Sequence, residues 1–147
     1  MGTIVHEPRD GERLAVGPSE VLIKATGEDT AGSLFLSETT LAPGVDGPPE
    51  HVHQTLHDMF YVLEGALTMR IDGETHELQP GAFVCVPPDT PHAISNRGSG
   101  PARFLNLATP AGWEHFMRDL AAASSGGERP DQQAVAQIAA QYDWRPA

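Results

Sequence analysis

The stretch Gly44-Val-Asp-Gly-Pro-Pro-Glu-His51-Val-His53-Gln-Thr-Leu-His57-Asp58-Met-Phe-Tyr-Val-Leu-Glu-Gly65 decides how this chain is read. Side chains alternate between faces along a β-strand, so His51 and His53 share one face while Val52 takes the other; a helix would separate them. The following run, Asp58 to Leu63, is apolar and aromatic, and Glu64-Gly65 ends it at a turn. The same alternation places Asp58 with Phe60 and Val62, and His57 with Met59 and Tyr61. Only one of the two polar residues can therefore face the interior of the sheet.

A second stretch, Gly81-Ala-Phe-Val-Cys-Val-Pro87-Pro-Asp-Thr-Pro-His92-Ala-Ile-Ser-Asn96, brings a third histidine from a distant strand. Prolines 87, 88 and 91 stiffen the approach to His92 and restrict the residues before them, which suits the aiming of one side chain. Three imidazoles and a carboxylate suit a divalent transition metal, with room in an octahedral shell for two exogenous ligands. Such a density of inward polar groups in an apolar barrel needs a partner to offset its desolvation. His51, His53, Asp58 and His92 are thus the candidate metal ligands, and open positions are what separate a catalytic site from a structural one. His57 is the rival to Asp58. His6 and His76, in a charged segment and after a turn, are expected to be solvated.

Around these motifs, strand-length apolar runs alternate with turn signals, as an all-β barrel requires. They are Val21–Ala25, Leu34–Leu41, Met59–Leu63, Leu67–Ile71, Thr75–Leu78, Phe83–Val86, His92–Ser95 and Arg103–Leu107. Asp72-Gly73 is the clearest hairpin signal, because a two-residue primed turn needs residues tolerant of positive φ. No internal repeat is visible, so one barrel is expected, over residues 1–110. After Thr109 the pattern turns helical: Thr109 reads as a cap, Pro110 as the first helical position, and Trp113, Phe116, Met117 and Leu120 as one apolar face. Ser124 to Pro130 reads as a linker, and Asp131 as the cap of a second helix with Val135, Ile138, Ala139 and Tyr142 on one face. Residues 111–147 form this helical extension, expected to cover the outside of the barrel rather than act as a lid. His115 lies off the apolar stripe and is expected to be solvated.

The two motifs resemble the signatures of the cupin superfamily, over about positions 44 to 96. His51 and His53 fall on its paired histidines, Asp58 on the usual Glu, and Gly65 on the closing glycine. Gly81, Pro87, His92 and Asn96 also fall in place, with Asp89 where a glycine is usual. The resemblance implies a jelly-roll-like β-barrel, here with a C-terminal α-helical extension, holding one divalent metal: Fe, Ni, Co, Mn, Cu or Zn. Asp58 departs from the pattern by one methylene, while metal–oxygen bonds must close to about 2.0–2.2 Å. The motif spacing still favours it over His57, and if neither binds, three histidines remain.

Composition narrows the classes of function. A chain of 147 residues is one domain's worth and buries enough surface to need no crosslink. The single cysteine, Cys85, cannot form an internal disulfide, and its context Phe83-Val-Cys-Val86 reads as a small buried hydrophobe in a reducing, cytoplasmic setting. No apolar run reads as a signal peptide or a membrane span. With nine basic against twenty acidic residues, a net charge of −11 opposes nucleic acid and anionic membrane as partners. Heavy Ala, Gly, Pro and Arg usage is associated with high-GC bacterial genomes. A homodimer formed through sheet edges is expected.

For function, the chain resembles single-domain bacterial cupins of the flavonol dioxygenase type, a group that also holds other oxygenases, isomerases, epimerases and cyclases. The candidate pocket wall, Phe60, Val62, Phe83, Phe104 and Asn106, is mostly apolar, which suits a flat, oxygen-bearing aromatic or polyketide-like substrate better than a sugar. A metal-dependent oxygenase with Asp58 as a catalytic proton acceptor is the leading expectation. A non-redox isomerase, epimerase or cyclase, or a non-enzymatic small-molecule-binding barrel, are the alternatives.

Overall fold

The computed structural model describes residues 2–124 and 126–147. The strands in chain order are β1 (Glu12–Val16), β2 (Ser19–Ala25), β3 (Phe35–Leu41), β4 (His51–Val52), β5 (His57–Glu64), β6 (Leu67–Ile71), β7 (Glu74–Leu78), β8 (Phe83–Val86), β9 (His92–Ser95), β10 (Ala102–Thr109) and β11 (Arg145–Pro146). The helices are α1 (Gly27–Thr30), α2 (Trp113–Ala123) and α3 (Gln132–Ala139). Among the described residues the strands form two antiparallel sheets, ordered β1-β2-β3-β10-β5-β8 and β11-β4-β9-β6-β7. Chain neighbours such as β4 and β5 lie in opposite sheets, the double-sheet arrangement of a jelly-roll-like barrel.

Local chemistry explains the elements. The β6–β7 hairpin closes through Asp72 and Gly73, at φ 53° and 84°, the conformation a primed turn requires. Period-two alternation is cleanest in β10, where Ala102, Phe104, Asn106 and Ala108 are buried and the residues between them are not. Phe104 joins Leu41, Phe60, Val62, Leu67, Met69 and Val86 in the cluster that fills the space between the sheets.

A second cluster joins the sheet carrying β1 and β2 to the C-terminal segment. Val16, Val21, Ile23 and Phe35 pack with Trp113, Phe116 and Leu120 of α2, with Val135 and Ala139 of α3, and with Trp144. Trp113 and Phe116 stack with ring centroids 4.4 Å apart. The helical face read from the sequence is therefore buried, and His115 is exposed as expected. No helix among the described residues is long and apolar enough to cross a membrane.

Three local expectations are corrected. Helix α2 starts at Trp113 with Gly112 as its N-cap, while Thr109 closes β10. The buried Glu114 carboxylate takes over the capping, accepting the backbone N–H of Gly112 at 2.8 Å and of Gly27 at 2.9 Å. Cys85 is exposed, and Phe83 on the same face of β8 is 60% exposed, because Val84 and Val86 supply the inward face of this edge strand. Phe83 is thus not a pocket residue. Finally, Trp113, Met117 and Leu120 line the same cavity as His51 and Asp58, so α2 is a wall of the interior and not merely an outer cover. The linker reading includes Ser125, which lies outside the described residues.

Candidate metal centre

The four candidate residues converge from both sheets. His51 in β4 is the register partner of His92 in β9, so these two imidazoles lie side by side on one sheet. Asp58 faces them from β5 in the other sheet, where it pairs with Ala108 of β10 and Val86 of β8. His53 follows β4 on the same face as His51, as alternation requires, and all four side chains are buried. One donor atom from each lies within 4.8 Å of the other three. His57 is exposed on the outer face of β5, so the structure brings Asp58, not its neighbour, into the cluster.

Each imidazole is held by a backbone carbonyl. The Nδ1–H of His51 donates to Pro49 O at 2.7 Å, that of His53 to Asp143 O at 2.5 Å, and that of His92 to Thr90 O at 2.9 Å. A carbonyl only accepts, so each Nδ1 carries a proton and each ring directs its Nε2 into the cluster. This arrangement fits a metal, because it fixes tautomer and ring orientation before an ion arrives. The Nε2 of His53 has no hydrogen-bond partner among the described residues, a costly state for a buried polar atom unless something else occupies that direction.

The carboxylate is held from the other side. Asn106 Nδ2 donates to Asp58 Oδ1 at 2.8 Å and to the carbonyl of Met59 at 3.1 Å. Asp58 Oδ2 lies 3.1 Å from His92 Nε2 and 3.5 Å from His53 Nε2. Burial works to raise the Asp58 pKa, but the two adjacent imidazoles outweigh it, so the carboxyl stays ionised well below its ordinary range. His51 is pushed down to about 3 by burial and by the neighbouring His92 and His53, which keeps it neutral and available as a ligand. At His53, burial works downward, but the Asp58 carboxylate and the Asp143 carbonyl prevail and raise the pKa.

Two residues of the C-terminal segment belong to this site and were not singled out in the sequence. The Asp143 carboxylate accepts the backbone N–H groups of Gln54, Thr55 and Leu56 at 2.6, 2.9 and 2.9 Å, so both its backbone and its side chain hold the His53 loop. Trp144 stacks on His51 with ring centroids 5.7 Å apart, while β11 pairs with β4 directly behind it. The only sequence signal was a tryptophan after the last helix, which carries no information about its partner. Asp89, where the family pattern has a glycine, adopts φ 61° and donates its N–H to His53 O at 2.8 Å. Aspartate tolerates that left-handed conformation better than most side chains, which accounts for the substitution.

The cluster opens onto a cavity whose walls are largely apolar. Phe60 and Phe104, with ring centroids 5.9 Å apart, join Val21, Leu41, Ile94 and Trp113 there, with Asn106 beside Asp58. Of the wall residues expected from sequence, Phe60, Phe104 and Asn106 line this cavity, while Val62 is buried in the core beside them.

Two antiparallel sheets enclosing three histidines and a carboxylate define a β-barrel protein with an internal donor set that suggests a metal ion. Residues 37–108 match the family described as the cupin domain, and the chain belongs to the cupin superfamily. It is 33% identical over 116 residues to quercetin 2,3-dioxygenase of Bacillus subtilis, covering 79% of this chain and 34% of that protein. It is 36% identical over 80 residues to tetracenomycin polyketide synthase protein TcmJ of Streptomyces glaucescens, covering 54% of this chain and 53% of that one. Among solved structures, the polyketide cyclase RemF of Streptomyces resistomycificus is similar at 27% identity and a TM-score of 0.61, covering 74% of this chain and 80% of that one. The chain spans about a third to a half of the length of these curated relatives.

Proposed function

We propose that this protein is a metal-dependent oxygenase acting on a small, flat, oxygen-bearing aromatic or polyketide-like molecule. The observation that carries the reading is the opening of a His51–His53–Asp58–His92 donor set onto a cavity walled by Phe60, Phe104 and Trp113. Four protein donors leave open positions on an octahedral ion, and apolar aromatic walls favour a planar substrate over a hydroxylated sugar. The likeness to a quercetin dioxygenase over most of the chain supports oxygen chemistry.

His51, His53 and His92 would hold the ion through Nε2, with Asp58 Oδ2 as the fourth donor. Bound there, a redox-active divalent ion would acidify an enol or phenol and make dioxygen chemistry accessible. Asp58 is the one carboxylate of the cluster, and the role proposed for it beyond holding the ion is to leave the ion and accept the proton that an enol or phenol gives up. Asn106 anchors Oδ1 and leaves Oδ2 directed at the imidazoles, where it would reach the ion they hold. Trp113 packs edge-on against His53 at 5.0 Å and excludes water from that side.

The likeness to a polyketide cyclase and to a polyketide synthase protein favours a second reading, in which the ion acts only as a Lewis acid in a cyclisation or isomerisation. Oxygen uptake separates the two. Protein purified without chelator or a nickel column, then reconstituted with iron, nickel, cobalt, manganese or copper, is expected to consume dioxygen with a flavonol, a diketone or a catechol. Product formation without oxygen consumption, best supported by zinc, would establish the second reading instead. Tight binding without turnover of any compound would leave a ligand-binding barrel.

A further inference from the structure

We propose that Arg129 makes this cavity selective for substrates that carry a carboxylate on an otherwise apolar body. The inference rests on the cavity's being the substrate site, as the oxygenase reading requires. Of the eight arginines, five have a carboxylate within ion-pair distance among the described residues: Arg13, Arg70, Arg103, Arg118 and Arg145. Arg9 and Arg97 are exposed to solvent. Arg129 alone lines the cavity that holds His51 and Asp58, alongside Phe60, Phe104 and Trp113. Its Nε is buried and has no hydrogen-bond partner among the described residues. Burial pulls its pKa down, with the charge of exposed Asp46 only partly offsetting this.

The side chain is nevertheless anchored. Its backbone and Cβ pack onto Gly17 in the β1–β2 turn, where a side chain's Cβ would stand 2.9 Å from Arg129 N and Cβ, and where φ is +57°. Gln132 bridges the guanidinium to the barrel: its Oε1 accepts from Arg129 at 3.3 Å, and its Nε2 donates to Gly47 O at 3.2 Å. In a chain with twenty acidic residues, a half-buried guanidinium whose buried Nε has no acceptor, and whose one partner among the described residues is a neutral amide, is available as a binding group. A carboxylate matches its planar fork and would supply the missing acceptor in low dielectric.

Calorimetry with 6-hydroxy-2-naphthoate and its neutral amide, 6-hydroxy-2-naphthamide, tests this on the metal-loaded and the chelator-treated full chain. The acid is expected to bind at least about tenfold more tightly than the amide in both preparations, since an Arg–carboxylate bond does not need the ion. Arg129→Gln should reduce that preference to about twofold or less, whereas Arg97→Gln should retain it. Arg129→Met should unfold at the same temperature as the parent or above it when no probe is present, as expected for a charge kept for binding and not for stability. Equal affinities for acid and amide in the parent, absence of binding by both, a preference confined to the metal-loaded form, or one unchanged in Arg129→Gln would each overturn the inference. A melting temperature lower by about 5 °C or more in Arg129→Met would mark the residue as structural and overturn it as well. An acid preference without oxygen uptake on any substrate would refute the oxygenase reading and leave this inference standing; oxygen uptake without the preference would do the reverse.

Discussion

Asp58 carries the sharpest expectations at the scale of single residues, because its two oxygens have different partners. Asp58→Ala should lose metal, while Asp58→Glu should keep it, since the longer carboxylate is the usual occupant of this motif position. His57→Ala, altering an exposed side chain on the opposite face, should leave metal content unchanged. Metal analysis of the three variants checks the ranking. Changing His51, His53 or His92 to Ala should each remove most bound metal, since each imidazole supplies one of four donors. Stoichiometric metal in His92→Ala would refute the cluster as a binding site. Asn106→Leu removes the hydrogen bond that fixes Asp58 Oδ1, and a loss of about 10- to 100-fold in metal affinity is expected from an outer partner of this kind.

The C-terminal segment makes its predictions at the scale of elements. Asp143 joins the C-terminal segment to the loop between β4 and β5, and Asp143→Ala removes the charged acceptor of three backbone N–H groups, of which that of buried Leu56 is the one least able to turn to water, a cost of about 1–3 kcal/mol in a denaturant titration. Partial burial works to raise the Asp143 pKa, but those three donors outweigh it and hold the carboxyl below its ordinary value. A lowered folded-state pKa adds stability that is complete above the unfolded-state value and lost as the pH falls through the folded one. The stability gap between the parent and Asp143→Ala should therefore be wide near neutrality and close as the pH drops below about 4. Within α2, Phe116 is fully buried, and Phe116→Ala should cost about 3–5 kcal/mol. Because Trp113 also touches His53, deleting α2 should impair metal retention as well as solubility, which distinguishes a cavity wall from a detachable lid.

For the whole molecule, an ion held by the candidate donor set would link folding to metal binding. The His53 Nε2 without a partner and the Asp58 carboxylate among three imidazoles are buried costs that a bound cation would relieve. Metal at about 100 times its dissociation constant should add about 2.7 kcal/mol. Chelation should correspondingly lower the melting temperature by about 5–10 °C, measurable by differential scanning calorimetry. The His51→Ala protein should show no such difference between metal-loaded and chelated samples.

What the sequence determined by itself was local and periodic. The alternation of His51, Val52 and His53, the face shared by Asp58, Phe60 and Val62, the Asp72-Gly73 hairpin and the Asp131 helix cap each rest on neighbours a few residues apart. Together with the spacing of the two motifs, they made the family and the four clustered candidate donors legible before any fold was known. Tertiary structure decided the rest, because the deciding partner was remote. Asp143 and His53 meet across 90 residues, and no periodicity signals that contact. Which face of β8 points inward depended on its being an edge strand beside β5, so Phe83 and Cys85 turned outward although their apolar context read as buried. Helix α2 carried its apolar stripe in the sequence, but only its docking against β1 and β2 made that stripe a wall of the cavity. Burial and metal geometry depend on which distant surfaces meet, whereas strand period and turn chemistry depend only on the backbone between neighbours.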